Sequence, residues 1–145
     1  MQRQPVATLK TVSESLRQRL KSCGGNGAYL AINVADAAGH YQKTLWISGT
    51  KTKYYKNLRD WARGSGLKPS EFDGVSGASV GSGRALKVTA DLADALIDAG
   101  YEICVDSAVE DGRDNPADAR TRLTMTGARK TSTGRGYVQS FTYDL

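Results

Sequence analysis

Every second residue from Ala28 to Val34 is aliphatic and falls on one face of an extended chain, which is the alternation that a β-strand requires. Residues 41–48 contain Thr, Trp and Ile, residue types that favour strands. The segment between them, DAAGH, has the small and polar composition of a turn. The sequence therefore predicts a β-hairpin. Because an isolated hairpin is barely stable in water, we expect this hairpin to be part of a larger sheet.

Three other segments place apolar residues at intervals of three or four, the spacing of an amphipathic helix. The sequence predicts helices at about 6–20, 53–63 and 89–100, each followed by glycine. The apolar positions are Val6, Leu9, Val12, Leu16 and Leu20 in the first segment, Tyr54, Tyr55, Leu58, Trp61 and Ala62 in the second, and Leu92, Leu96 and Ile97 in the third.

Further strands are predicted at 101–105, 120–126 and 137–145. The last two would form a hairpin joined by the basic loop 127–136. Residues 64–83 are rich in Gly and Ser, which indicates a flexible loop. We therefore expect an α+β fold, with an antiparallel sheet of four to six strands and two or three helices packed on one face.

A chain of 145 residues fits one domain, since compact domains most often have roughly 100–150 residues, and we expect a single domain spanning 1–145. No apolar run approaches the ~18 residues that a membrane-spanning helix needs. Residues 1–20 lack the apolar core of a secretory signal, so a cytoplasmic location is expected. Cys23 and Cys104 are then expected to be reduced thiols, because two cysteines do not make a disulfide framework.

The charges are arranged in blocks. Residues 1–66 carry eleven Lys and Arg against three acidic residues, whereas 67–145 carry nine against twelve. Within the second part, 91–118 holds nine acidic residues and one arginine, and 119–136 holds five basic residues and no acid. Basic blocks of this size attract polyanions, so nucleic acid is the first partner to consider. Acidic and basic blocks could also neutralise each other within the fold or across a homodimer.

Few residues suggest catalysis. His40, the single histidine, stands beside Gly39 in a predicted turn and is expected to be solvated. One histidine and two distant cysteines do not supply the usual ligands of a transition-metal site. The segment GVSGASVGSGRA lacks the G-K-[ST] ending of a phosphate-binding loop, and no nucleophile motif is present. We therefore expect no catalytic residues, no metal and no cofactor.

Two carboxylates keep one enzymatic hypothesis open. Glu102 and Asp106 would share a face of the predicted strand and could hold magnesium in a small hydrolase. The acidic residues just before them repeat at helical spacing, which is typical of the solvated face of a helix. This hypothesis is the least favoured of three.

The strongest functional signal is a set of basic and aromatic residues. The segment KTKYYKNLRDWARG holds five basic and three aromatic residues, although helical spacing puts much of its aromatic surface on the buried side. Spaced cations bind phosphate backbones, and exposed rings stack on bases. The ten residues of 127–136 exceed the 2–5 usual in hairpin loops, which suits an arm closing over a backbone. The predicted contact residues are Lys51, Lys53, Lys56, Arg59, Arg63, Arg120, Arg122, Arg129, Lys130, Arg135 and Tyr137.

These features predict a small non-enzymatic nucleic-acid-binding accessory protein, which contacts the phosphate backbone through helix 51–63 and a C-terminal basic β-ribbon. The alternative is a protein-interaction module, an inhibitor or adaptor that docks through the acidic segment 91–118 and the basic faces. The sequence leaves open DNA or RNA, single or double strand, and the number of subunits. No membrane partner is expected.

Overall fold

The computed structural model describes residues 2–3, 6–11, 28–77, 85–89, 92–108, 115–128 and 130–144. Short extended segments dominate these residues. The strands are β1 Gln2–Arg3, β2 Val6–Thr11, β3 Tyr29–Ala35, β4 Tyr41–Ser48, β5 Ser76–Gly77, β6 Ala85–Thr89, β7 Leu92–Ala93, β8 Glu102–Ala108, β9 Asn115–Arg122, β10 Thr131–Thr133 and β11 Val138–Asp144. Helical segments are the α-helix α1, Arg59–Ser65, and 3-10 turns at Thr52–Asn57, Pro69–Glu71 and Asp94–Leu96.

Two sheets pack face to face. The larger has the strand order β5-β4-β3-β8-β9, antiparallel except for the parallel pairing of β5 with β4, and the smaller has the antiparallel order β10-β11-β2-β6. β1 and β7 form a separate two-stranded pair. The apolar side chains between the sheets form the main core of a β-sandwich. Its buried residues are Leu30, Ile32, Val34, Leu45, Val88, Leu92, Ile103, Val105, Ala119, Leu123, Val138, Phe141 and Tyr143.

The larger sheet is covered on both faces. Every residue of β3 is buried, and in β8 only Glu102 is partly exposed. Alternate side chains of these strands therefore point away from the sandwich core and need a second cover. The 3-10 turn at Thr52–Asn57 and α1 supply it, and the protein has three layers in this region.

α1 is fixed to the sheet mainly by Trp61. Its buried side chain packs in a second apolar cluster with Tyr29, Tyr55 and Leu58, and its indole N–H donates to Thr44 Oγ1 at 2.9 Å. Its backbone N–H donates to Asp106 Oδ2 at 2.8 Å. The helix ends at Gly66, whose left-handed conformation is common after a helix C-terminus.

Asp118, a buried carboxylate in β9, holds the chain segment that leads into β11. Its Oδ1 accepts the backbone N–H groups of Arg135 at 2.6 Å and Gly136 at 2.7 Å. Its Oδ2 accepts the N–H of Val138 at 3.0 Å and a hydrogen bond from the Ser107 hydroxyl. One side chain therefore joins the larger sheet to the start of a central strand of the smaller sheet.

The predicted α+β fold, with two or three helices on an antiparallel sheet, is wrong. Among the described residues one α-helix is present, with seven residues, and the five-stranded sheet is mixed. The first predicted helix, 6–20, begins as β2, which pairs with β11 on one side and β6 on the other. Val and Thr make up half of β2, and β-branched residues suit a strand between two partners. Residues 12–20 lie outside the described residues.

The third predicted helix, 89–100, is replaced by the end of β6, the short strand β7 and a single 3-10 turn. Asp98 and Gly100 both have positive φ, 59° and 88°, a left-handed conformation that ends a right-handed helix. The backbone N–H of Asp98 also donates to Leu123 O at 3.0 Å. In a helix the N–H of residue 98 would instead donate to a carbonyl oxygen within the helix, so this tertiary contact competes with helix formation.

The remaining elements agree in part with the sequence. The predicted hairpin at 28–34 and 41–48 is confirmed as β3 and β4. The strand predicted at 101–105 overlaps β8, which begins at Glu102, and 53–63 is helical except at Leu58. The predicted hairpin between 120–126 and 137–145 is wrong, because β9 pairs with β8 whereas β11 pairs with β2 and β10. The alternation identified strands without identifying their partners.

The two predicted loops are described in part. Residues 64–77 contain the end of α1, a 3-10 turn and β5, and 78–83 lie outside the described residues. The segment 127–136 contains β10. None of the helices in the described ranges has the length and apolar character needed to cross a bilayer.

Candidate small-molecule binding site

The face of the larger sheet that carries α1 changes from apolar to polar along its strands. At one end Tyr29, Ala31 and Ile47 pack beneath the helical layer. Further along, Asn33 and Cys104 occupy the same face. Beyond α1 this polar end borders a pocket of about 470 Å³. Its lining residues are Asn33, Ala35, Gly39, His40, Tyr41, Asp60, Arg63, Gly64, Cys104, Ala117 and Arg120.

Asn33 is the most unusual residue of this pocket. Its side chain interrupts an otherwise apolar strand, and the residue is 5 % exposed. No side-chain hydrogen bond joins Asn33 to another residue in the described part of the chain. Buried amides are almost always paired, so an amide that lacks a protein partner and borders a cavity marks a place for a ligand or ordered water.

Two arginines reach the pocket from different layers. Arg120 comes from β9, and its Nε donates a hydrogen bond to Glu102, which offsets its charge. Arg63 comes from α1, is exposed, and forms no ion pair with any residue that the structure describes. Asp60 lies one turn before Arg63 and also lines the pocket. Of the two guanidinium groups, that of Arg63 is therefore the one that no carboxylate among the described residues pairs with.

Cys104 lies beside Arg120 at the buried end of the pocket. Burial raises the pKa of its thiol to about 11, although the neighbouring Arg120 acts in the opposite direction. The thiol is therefore neutral at physiological pH. Because the thiolate is the nucleophilic form, Cys104 is suited to packing and weak hydrogen bonding rather than to attack on a substrate.

The protonated state of Cys104 predicts slow thiol chemistry. In a Cys23→Ser background, we expect folded Cys104 to react with a disulfide reagent at pH 8 about 100-fold more slowly than the same protein in denaturant, because a pKa raised from about 9 to about 11 lowers the thiolate fraction by that factor. Stopped-flow absorbance gives both rates. Equal rates in the two states would contradict the assignment of a buried neutral thiol.

Asp106 joins two of the elements that line the pocket. It is fully buried, and burial raises the pKa of its carboxyl group, although hydrogen bonds from the backbone of Ala117 and Trp61 act to lower it. Its Oδ1 accepts the N–H of Ala117 at 2.8 Å, and its Oδ2 accepts that of Trp61. The two oxygens thus connect β9 to α1 at the place where both contribute pocket residues.

The two carboxylates considered for a magnesium-dependent hydrolase, Glu102 and Asp106, are hydrogen-bonded to other groups of the protein. Both oxygens of Asp106 accept backbone N–H groups, and Glu102 accepts from Arg120. Within the described ranges no group of three or more His, Cys, Asp or Glu side chains is placed to hold a metal ion.

The basic residues predicted to contact nucleic acid lie in several separate parts of the structure. Lys51, Lys53, Lys56 and Arg59 are exposed on the helical layer, Arg122 and Lys130 are exposed elsewhere, and Arg129 lies outside the described residues. Arg63 and Arg120 meet at the pocket, and Arg120 and Arg135 meet at a second hollow. Tyr137 is 1 % exposed, so its ring is part of the protein interior. Whether the other cations contact a partner stays a prediction.

Sequence reasoning did not identify Asn33, Tyr41 or Ala117 as pocket residues. One signal was present, because Asn33 is the single strongly polar residue in an aliphatic strand. His40 was expected in a solvated turn, and its side chain is 78 % exposed, 3.5 Å from Asp36 at the rim of the pocket.

A family model described as "Predicted periplasmic protein (DUF2271)" matches residues 11–140. The chain belongs to this family. No curated protein and no solved structure gives a significant match.

Family membership corrects two expectations. The family is described as periplasmic, so the cytoplasmic location inferred from residues 1–20 is wrong. The periplasmic description also contradicts the predicted nucleic-acid-binding function, because that function requires a partner found inside the cell. The physical reason is that blocks of positive charge attract any anion, so they do not identify a polymer. Docking on a protein partner stays a prediction.

Proposed function

We propose that this protein binds a small organic anion in the pocket between α1 and the polar end of the larger sheet. The observation that carries the proposal is the buried amide of Asn33, which borders the cavity and has no hydrogen-bond partner among the residues that the structure describes. A pocket of about 470 Å³ falls within the ~300–1,000 Å³ common for small-molecule sites.

The polar groups favour a ligand with a carboxylate or phosphate group. Arg63 offers planar N–H donors that match two oxygens of such a group, and Asn33 offers a further N–H₂ donor. Asp60 repels negative charge at its own position, so the anionic group is directed towards Arg63. Arg120, held by Glu102, lines the pocket as a neutralised donor rather than as a second free charge.

The same groups favour binding over turnover. Cys104 is held as a neutral thiol, which disfavours covalent attack. His40 lies exposed at the rim, where solvent surrounds most of its ring. The periplasmic description of the family fits a ligand drawn from small solutes outside the cytoplasm.

The test is a titration with succinate, using succinamide as an uncharged molecule of the same size. We expect succinate to shift the NMR signals of the Asn33 side-chain amide and succinamide to leave them unchanged. Asn33→Ala assigns those signals by their disappearance. Equal responses to the two molecules, or no response to either succinate or inorganic phosphate, would remove the proposal.

Arg63→Gln is expected to weaken succinate binding by about 10-fold or more, since a hydrogen bond to a charged group contributes about 1.5–3 kcal/mol. Arg59→Gln removes the same charge from the same helix at a position outside the pocket lining, and we expect less than a two-fold change. Calorimetry gives both dissociation constants. Similar losses in the two variants would mean that overall charge, rather than the pocket, attracts the ligand.

A further inference from the structure

A second hollow adjoins the pocket. It has a volume of about 400 Å³ and is lined by Ala117, Asp118, Arg120, Thr133 and Arg135. Ala117 and Arg120 line both cavities. The two cavities are therefore neighbours that meet at one short stretch of β9, and a ligand that fills both passes over this stretch.

The backbone at the meeting point has an unusual shape. Ala117 has φ of 49°, in the left-handed region that non-glycine residues rarely adopt, and the pairing of β9 with β8 is irregular nearby. The hydrogen bond from its N–H to Asp106 holds this conformation. Strained backbone that the surrounding structure maintains is more common at binding sites than elsewhere.

Arg135 makes the second hollow attractive to an anion. Its guanidinium donates to Pro116 O at 2.5 Å, a neutral carbonyl, and it forms no ion pair with any residue in the described ranges. The carboxylate among the lining residues of this hollow is the buried one of Asp118, which already accepts three backbone N–H groups and the Ser107 hydroxyl. Each cavity therefore holds a guanidinium that forms no ion pair within the described part of the chain: Arg63 in the first and Arg135 in the second.

We infer that the ligand is an elongated dianion that occupies both cavities. This inference rests on the proposed function, because its first anionic group is the one held by Arg63 and Asn33. The second anionic group lies at Arg135, and the apolar middle of the molecule crosses Ala117. Arg120 lines both cavities and offers hydrogen bonds on the way, while Glu102 offsets its charge.

The experiment compares linear dicarboxylates from succinate to sebacate with the monoamides of the longer members. A dicarboxylate that is long enough to reach Arg135 is expected to bind at least 10-fold more tightly than succinate and than its own monoamide. Arg135→Gln should abolish this gain and leave succinate binding unchanged, because the contact to Asp118 uses the backbone of residue 135. Arg135→Lys, which keeps the charge, should restore part of the gain.

Lys130→Gln is the matched control. Lys130 is exposed in the same connection between β9 and β11 and lines neither cavity. Its substitution should therefore leave the affinities for both short and long dicarboxylates unchanged. Succinate binding without any length dependence, or an equal effect of Arg135→Gln on all members, would overturn the inference and leave the proposed function standing. Failure of every dicarboxylate to bind would overturn the inference, and failure of inorganic phosphate to bind as well would also overturn the proposed function.

Discussion

Asp118→Ala is expected to lower the free energy of unfolding by about 3–5 kcal/mol, because it leaves the N–H groups of Gly136 and Val138 and the Ser107 hydroxyl without their buried acceptor. Arg135 keeps a second acceptor, since its N–H also donates to the backbone oxygen of residue 118. The melting temperature should fall by roughly 10–15 °C for a chain of this length. Denaturant unfolding followed by circular dichroism measures the change.

Two comparison variants isolate the role of the buried carboxylate. Asp118→Asn keeps the oxygen that serves Arg135 and Gly136 and loses the acceptor for Val138, so we expect a smaller loss of about 1–3 kcal/mol. Asp73→Ala removes an exposed carboxylate and should change stability by less than about 0.5 kcal/mol. If Asp118→Ala were no more destabilising than Asp73→Ala, the hydrogen bonds assigned to Asp118 would not stabilise the fold.

Trp61→Ala is expected to cost about 3–5 kcal/mol, the range observed when a fully buried aromatic side chain is truncated. The substitution leaves a cavity beneath α1 and removes the indole donor from Thr44. Because α1 carries Asp60 and Arg63, we also expect loss of succinate binding in the same variant. Thermal unfolding and calorimetry measure the two effects.

Trp61→Phe separates packing from hydrogen bonding at this position. It keeps an aromatic ring next to Tyr55 and Phe72 but loses the donor to Thr44, so we expect a cost of about 1–2 kcal/mol and retained binding. A Trp61→Ala protein as stable as Trp61→Phe would show that α1 is held to the sheet by other contacts.

The fold was predictable only where the pattern of residues has one structural solution. The alternation from Ala28 to Val34 has the strand period, and the structure contains that strand and its hairpin partner. Val6, Leu9 and Val12 fit a helical period, but the same stretch has the β-branched content of a strand. Its assignment depended on β6 and β11, which come much later in the chain. Long-range pairing of this kind leaves little trace in a local window.

The candidate site was less predictable than the fold. Residue type identified Arg63 and Arg120 as cations on the surface, but their proximity depends on α1 lying over β9, which no spacing in the sequence encodes. Asn33 could have been singled out as a polar residue in a buried strand. What made it a candidate was that its amide has no partner in the described ranges, and that required the coordinates.

The two hydrogen bonds that Asp106 accepts, from Trp61 and Ala117, have a consequence for selectivity. They set the spacing between the helix that presents Arg63 and the strand that presents Arg120 before any ligand arrives. A preorganised site loses little conformational entropy on binding, and it does not change its width to fit a poorly matched ligand. Discrimination between solutes of similar charge should therefore follow their length and shape.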